Sequence, residues 1–176
     1  MRNFTRYSQL ETDRLTLRFS TKDDREAAFQ LRSDKDILKY VQRTPMVDLD
    51  EADAFIKRMM KSVGDNASLY WLMEIKATKE VIGSICLWNF SEDYKTAEIG
   101  YAMLQKFHGK GFMSEALQAV VELGKTALDL EYLEAFTHRA NSPSTQLLIR
   151  HGFSLDPHRR DDGFLNNRIF TSYIKA

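Results

Sequence analysis

The stretch from Ile99 to Leu117 limits the possible folds of this chain more than any other segment. It begins as an apolar run typical of a β-strand, crosses a short segment with Gly109 and Gly111, and continues beyond Phe112 with helical spacing. The first N–H groups of a helix lack intrahelical partners, and glycine lets a ligand approach the backbone closely. The order strand, glycine loop and helix start therefore predicts an anion-binding site. The apolar helical positions are Met113, Ala116, Leu117, Val120, Val121, Gly124, Ala127 and Leu128.

Two common phosphate-binding motifs do not fit this loop. A P-loop ends in Gly-Lys-Ser or Gly-Lys-Thr, whereas Gly111 is followed here by Phe112 and Met113. A dinucleotide-binding fingerprint requires a third glycine, which Ser114 does not supply. The remaining interpretations are an anion site of another kind and an ordinary turn between a strand and a helix.

The balance of charges argues against a nucleic-acid partner. The 176 residues include 25 Lys and Arg and 25 Asp and Glu, so the net charge is zero. Nucleic-acid-binding proteins normally carry a basic surface that shifts this balance. A chain of this length suits one domain with a sizeable core, and no linker, repeat or low-complexity segment divides it. We therefore expect residues 1–176 to form a single domain.

No segment of the sequence has the character of a membrane span or a targeting peptide. The N-terminal residues lack an apolar core, and no run approaches the ~20 apolar residues that cross a bilayer. The single cysteine, Cys86, lies in an apolar run, which predicts a small core residue. No Cys/His spacing fits a metal site. We expect a cytoplasmic protein with no disulfide, no bound metal and no membrane partner.

Periodicity and capping residues predict an alternation of strands and helices along the chain. Residues 1–10 are expected to form a loose arm. Because a helix crosses over between the strands at 96–104 and 132–138, these two strands must run parallel. The predicted strands cover residues 11–19, 69–77, 81–89, 96–104, 132–138 and 164–174. The predicted helices cover residues 23–33, 34–40, 48 or 50 to 64, 112–128 and 141–152.

The loop with Gly109 and Gly111 resembles the acetyl-CoA loop of the GNAT superfamily of N-acetyltransferases, written Q/R-x-x-G-x-G/A. Lys106 occupies the position where Gln or Arg is usual, although Gln105 precedes it. A second stretch, E-T-x-R-L-x-L-R over residues 11–18, is similar to the opening of the Rim-type branch of that superfamily. This branch contains ribosomal-protein N-terminal acetyltransferases.

A third stretch, over residues 141–153, resembles the second GNAT signature, in which N-x-x-S opens a helix that ends in Gly-Phe. Asn141 and Ser144 match its two polar positions, although a helix cap alone also explains them. The three stretches follow one another in the family's order. The chain is therefore identified as resembling the Rim-type branch.

The resemblance implies an α/β fold with a mixed, mostly antiparallel sheet of six to seven strands, flanked by helices. Its two central parallel strands splay apart, and the gap is expected after Met103 and near His138. Peptide groups left unpaired there are costly unless a ligand binds them, and in the family that ligand is acetyl-CoA. Lys110 either adds positive charge or is an ordinary solvated lysine. The implied cofactor-binding residues are Met103, Leu104, Gly109, Lys110, Gly111, Phe112, Met113, Ser114 and Asn141.

The implied chemistry is direct attack of an amine on the thioester. The amine must lose a proton, the developing oxyanion needs hydrogen-bond donors, and the departing thiolate needs a proton. The main-chain N–H of Met103 or Leu104 is the expected oxyanion donor. Ser144 is the expected proton donor, as in the Rim-type branch, because Leu148 stands where many other members carry a tyrosine.

Glu98 is the preferred candidate for the general base, because it lies on the cofactor strand just before the gap. His138, at the other lip of the gap, is the second candidate, with an ordinary pKa near ~6.5. Both residues are also explained as ordinary polar strand residues. A site without a strong base favours an α-amine, whose pKa of ~7.7–8.0 lies well below the ~10.4 of lysine.

The sequence therefore predicts an acetyl-CoA-dependent N-acetyltransferase that acetylates a primary amine, with the N-terminal α-amine of a protein as the favoured acceptor. A polyamine, an amino sugar or an antibiotic is the alternative acceptor. A non-catalytic acyl-CoA-binding module and a structural interaction domain are alternatives from other classes. In the family the helices between the first two strands shape the acceptor pocket, but their sequence does not identify the acceptor. We expect a monomer or a homodimer.

Overall fold

The computed structural model describes residues 3–41 and 43–175, and this part of the chain forms one eight-stranded sheet. The strands are β1 (Gln9–Glu11), β2 (Leu15–Phe19), β3 (Leu69–Ile75), β4 (Val81–Trp88), β5 (Thr96–Met103), β6 (Tyr132–His138), β7 (Ser154–Leu155) and β8 (Asn167–Tyr173). Their order across the sheet is β1-β2-β3-β4-β5-β6-β8-β7. Neighbouring strands run antiparallel except β5 and β6, which run parallel. The mixed, mostly antiparallel sheet implied by the sequence is confirmed.

The α-helices of the described residues pack on this sheet. They are α1 (Arg25–Ser33), α2 (Lys35–Leu38), α3 (Leu49–Gly64), α4 (Phe112–Thr126) and α5 (Ser142–Arg150). Side-chain caps begin three of these helices, because Asp34, Asp48 and Asn141 each accept the N–H of the third helical residue. The helices predicted to begin after Asp48 and Asn141 therefore do so, whereas the helix predicted from residue 23 begins at Arg25, because Thr21 caps a short 3-10 turn over Lys22–Asp24 instead.

Helices α3 and α5 lie on opposite faces of the sheet. Phe55 of α3 meets Tyr70 of β3 edge-on, with ring centroids 5.4 Å apart. Ser144 of α5 contacts Tyr101 of β5, which lies in register, two strands away, with Trp71 of β3. Consecutive strand residues point to opposite faces, so Tyr70 and Tyr101 face opposite ways. We call the two sides the α3 face and the α5 face.

The core continues on both faces of the central strands. Residues 69–73 of β3 are all buried, with no alternation between buried and exposed positions. A continuous buried run is typical of a strand that is covered on both sides. The sheet is therefore a rigid platform for side chains that project from β4 and β5 toward either layer of helices.

The start of the chain differs from the sequence-based expectation. Phe4 is 1% exposed and packs against Phe90 with ring centroids 5.1 Å apart, so residues 3–10 are not a loose arm. The strand predicted over residues 11–19 is broken by a turn, in which the N–H of Thr12 donates to the C=O of Leu15 at 3.0 Å. With β1 and the two-residue β7, the sheet has eight strands and not six to seven. Strands this short show no measurable period in the sequence.

The parallel pair β5–β6 separates soon after it forms. Its register begins at Thr96 and ends where Glu98 meets Glu134, and no later pair follows within residues 3–41 and 43–175. Strand β5 stays in register with β4 as far as Met103, and β6 with β8 as far as His138. The predicted splay is confirmed, but the gap opens after Glu98 of β5 and not after Met103, and after Glu134 of β6 and not near His138.

Candidate active site

The peptide groups of β5 that face the gap can be assigned from the ladder to β4. The N–H of Leu104 donates to the C=O of Ile82 at 3.0 Å, and its own C=O accepts the N–H of Phe107 at 3.0 Å. Because only alternate residues of an antiparallel strand bond to one neighbour, Met103 and Tyr101 turn their peptide groups away from β4, toward the gap. The structure therefore supports Met103, and not Leu104, as the main-chain donor predicted there.

The ring of His108 covers part of this edge. Its Nε2 lies 2.9 Å from the carbonyl oxygen of Met103, so this nitrogen carries the proton and donates it to the carbonyl. His108 immediately precedes the glycine loop and was not among the predicted site residues. A ligand that bonds to the Met103 carbonyl shares this oxygen with the ring or displaces it.

The glycine loop has the conformation that its sequence requires. Gly109 and Gly111 have φ of 73° and 81°, a left-handed region that strains other residues. Within the described parts of the chain, no acceptor takes the N–H of Gly109, Lys110 or Gly111. The first α4 N–H with a helical partner is that of Glu115, which donates to Gly111, so the N–H groups of residues 112–114 are also unused by the helix. Backbone donors converge here, which fits a pyrophosphate group.

Arg14 fastens the opening motif of the chain to this loop. Its Nη1 donates to the C=O of Lys110 at 2.9 Å, and its Nε donates to Glu115 at 2.7 Å. The guanidinium also lies over the ring of Phe112, 4.5 Å from its centroid. Burial raises the pKa of Glu115, but hydrogen bonds from Thr12 and Arg14 outweigh it, and the pKa lies below its ordinary value. The opening stretch over residues 11–18 and the glycine loop are therefore joined by an ionic contact. The side chain of Lys110 is exposed.

Ser114 contacts a residue that the sequence did not single out. Its Oγ lies 2.7 Å from Nε2 of His151, at the end of α5. Burial lowers the pKa of His151, with a smaller contribution from Arg150, so the ring is predominantly neutral at neutral pH. The contact ties the first turn of α4 to α5 and leaves the N–H of Ser114 as its ligand-binding group.

Ser144 lies on the α5 face, bonded to the strand that borders the gap. Its Oγ is 2.9 Å from the phenol oxygen of Tyr101, and its N–H donates to Oδ1 of Asn141 at 3.2 Å. The Asn141 oxygen therefore serves as a helix cap. Burial raises the pKa of Tyr101 to about 12, although the hydrogen bond to Ser144 lowers it, so the phenol keeps its proton at neutral pH. Tyr101 was not predicted, because nothing in the sequence connects it with Ser144.

Glu98 lies at the branch point of the gap, on the α3 face. The pKa of Glu98 is raised to about 7, mainly by burial and also by the negative charges of Asp161 and Glu134. The nearby polar side chains of Asn89 and Trp88 act in the opposite direction. A carboxyl with a pKa near the working pH is well suited to accept a proton from an amine.

His138 is less available for the same role. Its Nδ1 accepts the N–H of Ala140 at 3.1 Å, which makes the ring part of a turn. The ring also packs beside Tyr40, with centroids 6.0 Å apart. Only its Nε2 remains for chemistry, so the structure favours Glu98 over His138.

A groove of about 240 Å³ runs between α3 and the sheet on the side of Glu98. Trp88 and Asn89 line it, and Trp88 pairs with Glu98 in the sheet register, so the groove extends toward this carboxyl. Cys86 lies in the same wall, and burial raises the pKa of its thiol to about 12. A thiol that keeps its proton is not a nucleophile at neutral pH. The residues that line the groove are Met59, Ser62, Ala67, Ser68, Tyr70, Cys86, Trp88 and Asn89.

Glu98 and the Ser144–Tyr101 pair therefore flank one gap from opposite faces of the sheet. The glycine loop lies at the far end of β5.

Within the described residues no helix is both long and apolar enough to cross a membrane.

Comparison with known proteins places this geometry in a family. The family pattern described as the acetyltransferase (GNAT) domain matches residues 14–154. The uncharacterised N-acetyltransferase p20 of Bacillus licheniformis is 32% identical over 94% of this chain and 93% of its own length. Spermidine N(1)-acetyltransferase of Vibrio cholerae is 25% identical over 88% of this chain and 87% of its own. The ribosomal-protein-serine acetyltransferase of Escherichia coli is 33% identical over 50% of this chain and 49% of its own.

Solved structures share the fold at lower identity. The ribosomal L7/L12 α-N-protein acetyltransferase RimL, in complex with coenzyme A, superposes with a TM-score of 0.82 at 19% identity. It covers 94% of this chain and 97% of its own. The microcin C7 self-immunity acetyltransferase MccE, in complex with acetyl-CoA and AMP, gives 0.79 at 19% identity, over 92% and 93%. The splayed sheet, the family match and these relatives agree, and the chain belongs to the GNAT family of acetyltransferases.

Proposed function

We propose that this enzyme transfers the acetyl group of acetyl-CoA to a primary amine, and that residues 1–176 act as one catalytic domain. The observation that carries the proposal is the gap between β5 and β6, with Glu98 on one face and Ser144 on the other. An amine that enters from the α3 face meets Glu98, and a sulfur on the α5 face meets hydroxyl groups.

The backbone around the gap fits acetyl-CoA, which when bound supplies an activated acetyl group as a thioester. The free N–H groups of the loop, from Gly109 to Ser114, are the proposed donors to its pyrophosphate. The N–H of Met103, which faces the gap, is the proposed donor to the oxygen on which negative charge develops. Gly109 has open space where a Cβ would stand, so a ligand can approach the backbone closely.

Glu98 is the proposed general base. With a pKa near 7 it is partly ionised at neutral pH and regains a proton readily. An α-amine, with a pKa of ~7.7–8.0, needs less help to lose its proton than a lysine amine at ~10.4. We therefore propose an α-amine as the acceptor, on a peptide, a protein N-terminus or a small molecule.

The hydroxyl of Ser144 is the proposed proton donor to the departing thiolate. Its contact with Tyr101 lets the serine give its proton to the sulfur while the phenol passes one to the serine, and a proton from solvent then restores the phenol before the next cycle. Because the phenol stays protonated at neutral pH, the pair holds a transferable proton at the start of each cycle.

Two measurements test the proposal. Calorimetry with acetyl-CoA reports binding, and mass spectrometry reports the gain of one acetyl group on N-terminal peptides, amino acids, glucosamine and spermidine. We expect binding and an acetylated α-amine. Binding without any acetylated product would identify a non-catalytic acyl-CoA module, and no binding would overturn the proposal altogether.

A further inference from the structure

Three arginines gather beside the groove on the α3 face. Arg32 comes from α1, Arg43 from the segment between α2 and α3, and Arg58 from α3. The guanidinium of Arg32 lies 4.3 Å from the ring centroid of Phe55, and that of Arg58 lies 5.8 Å from the same ring. Arg58 is exposed, whereas Arg32 and Arg43 are half-buried.

These arginines have no acidic partner. No carboxylate in the described parts of the chain lies within ion-pair distance of Arg32, Arg43 or Arg58. Among residues 3–41 and 43–175, the buried Nε atoms of Arg32 and Arg43 have no acceptor, and Arg43 donates once to the C=O of Leu31 at 3.2 Å. Arg25, on the same helix as Arg32, also has a buried Nε without an acceptor there, but it differs in having an acidic partner, because its guanidinium lies 3.3 Å from Asp53.

Burying these guanidinium groups without an acidic partner lowers the stability of the free protein. Burial lowers the pKa of Arg43 to about 10, and the neighbouring charge of Arg32 lowers it further. Burial likewise lowers the pKa of Arg32. Both guanidinium groups nevertheless stay charged at neutral pH, so the protein holds two repelling, poorly solvated cations side by side. An anion bound by both groups would reduce their repulsion and would accept hydrogen bonds from their unused donors.

The arginines are close to the proposed chemistry. Arg32 packs on the ring of Phe55, whose centroid lies 5.4 Å from that of Tyr70, and Tyr70 lines the groove together with Cys86. In the sheet register Tyr70 pairs with Cys86, and Cys86 pairs with Gly100. Glu98 is two residues from Gly100 on the same face of β5, a step of about 7 Å. The cationic cluster and the base therefore both adjoin residues that line this groove, the cluster through Phe55 and Tyr70 and the base through Trp88.

We propose that Arg32 and Arg43 bind a carboxylate of the acceptor, so that the substrate is a primary amine with a carboxylate close to the amine. This inference rests on the proposed acetyl transfer to an amine. Two sources share this chemistry, a free amino acid and a peptide with an acidic residue next to its N-terminus. A polyamine does not, because its second positive charge would face the arginines.

Matched acceptors and variants test the inference. Kinetics compare alanine with alanine amide, with rates referred to the unprotonated amine of each, and an Ala-Glu-Glu peptide amide with its Ala-Gln-Gln twin; spermidine is the cationic control. For the wild-type enzyme, we expect kcat/KM to be higher for the acidic member than for its neutral twin, by about tenfold or more, in at least one of the two pairs. Arg32→Gln and Arg43→Gln should bring that ratio close to one, and Arg43→Lys should retain part of it. Arg25→Gln, which removes a paired arginine of the same helix, should leave the ratio unchanged.

Binding separates a failure of this inference from a failure of the proposed function. With coenzyme A present, thermal shift should report stabilisation by the acidic acceptor and not by its neutral twin, and Arg32→Gln should abolish the difference. If that difference is found but no acetylated product forms, only the proposed function fails. If amides or spermidine are acetylated as well as the acids, or if both arginine variants keep the wild-type ratio, the carboxylate site is overturned while acetyl transfer stands.

Discussion

Glu98 keeps its proton at a pH where most carboxyl groups have lost theirs, because burial raises its pKa to about 7. If it is the base, kcat/KM should rise as the pH passes through about 7. Glu98→Gln should lower kcat/KM by ~10²–10⁴ and remove that rise. The separate rise that belongs to the amine itself, near pH ~8, should remain. A pH–rate profile of both enzymes with one peptide acceptor measures this.

The same carboxyl supplies a control for folding. Its pKa is about 7 in the folded protein against an ordinary 4.5, so the folded state binds more protons over that interval. Stability therefore falls as the pH rises from about 4.5 to 7, and the cost is fully present above that range. Glu98→Gln removes the cost and should unfold at an equal or higher temperature than wild type at pH ~8. A lower Tm would make Glu98 a structural residue and contradict its assignment as base.

The hydroxyl pair of Ser144 and Tyr101 permits a second prediction at this scale. Ser144→Ala should lower kcat by ~10²-fold, with little change in the affinity for acetyl-CoA, because a proton donor acts mainly in the transition state. Tyr101→Phe keeps the ring and removes only its hydroxyl, so a smaller loss is expected. If the pair acts as a unit, the double variant should be no slower than Ser144→Ala alone. Fully additive losses would show that the two hydroxyl groups act independently.

Some single residues of the candidate site could not be predicted from the sequence. Glu98 and Ser144 could be proposed from the sequence because they lie on or beside recognisable motifs. Tyr101 was missed because it is 43 residues from Ser144 along the chain, and only the fold brings the two hydroxyl groups to 2.9 Å. Arg32 and Arg43 were missed because an arginine without a partner looks like any surface arginine until the surrounding carboxylates are placed.

Among the elements, the contact between the β1–β2 turn and α4 is the one most directly tied to ligand binding. Arg14 holds the Lys110 carbonyl and the Glu115 carboxylate, so it fixes the loop whose N–H groups are left free. Arg14→Gln should weaken binding of acetyl-CoA by about tenfold, because the loop must then be ordered by the ligand. At saturating acetyl-CoA, kcat should stay near the wild-type value. Isothermal calorimetry and steady-state kinetics provide the two numbers.

A matched control is Lys175→Gln, which breaks an exposed ion pair with Glu131 at 2.7 Å. Exposed pairs of this kind contribute little to stability, so both affinity and kcat should be unchanged. Equal effects of the two substitutions on affinity would mean that Arg14 has no special role in the loop.

Element lengths explain which parts of the fold the sequence predicted. The helices α3 and α4 and the strands β3 to β6 are long enough for periodicity and caps to mark them. The three-residue β1 and two-residue β7 were missed for want of a period. The crossover rule gave the parallel direction of β6, but no local signal marks Glu98 as the point of separation, because that point depends on contacts between segments that are distant along the chain.

At the scale of the whole molecule, the gap divides the sheet into two parts, β1 to β5 and β6 to β8, that share a short register of strand pairs. A ligand that bonds to the β5 edge and to the loop at α4 adds contacts that the unfolded chain cannot make. At ~100 times its Kd, such a ligand contributes ~2.7 kcal/mol, which raises the Tm of a chain of this length by about 5–10 °C. ADP carries phosphate groups for the loop but lacks the pantetheine arm with which coenzyme A would fill the gap. It should therefore give a clearly smaller rise in Tm than coenzyme A. Equal rises would confine binding to the loop, and no rise with coenzyme A would contradict the gap as its binding site; differential scanning fluorimetry decides between these results.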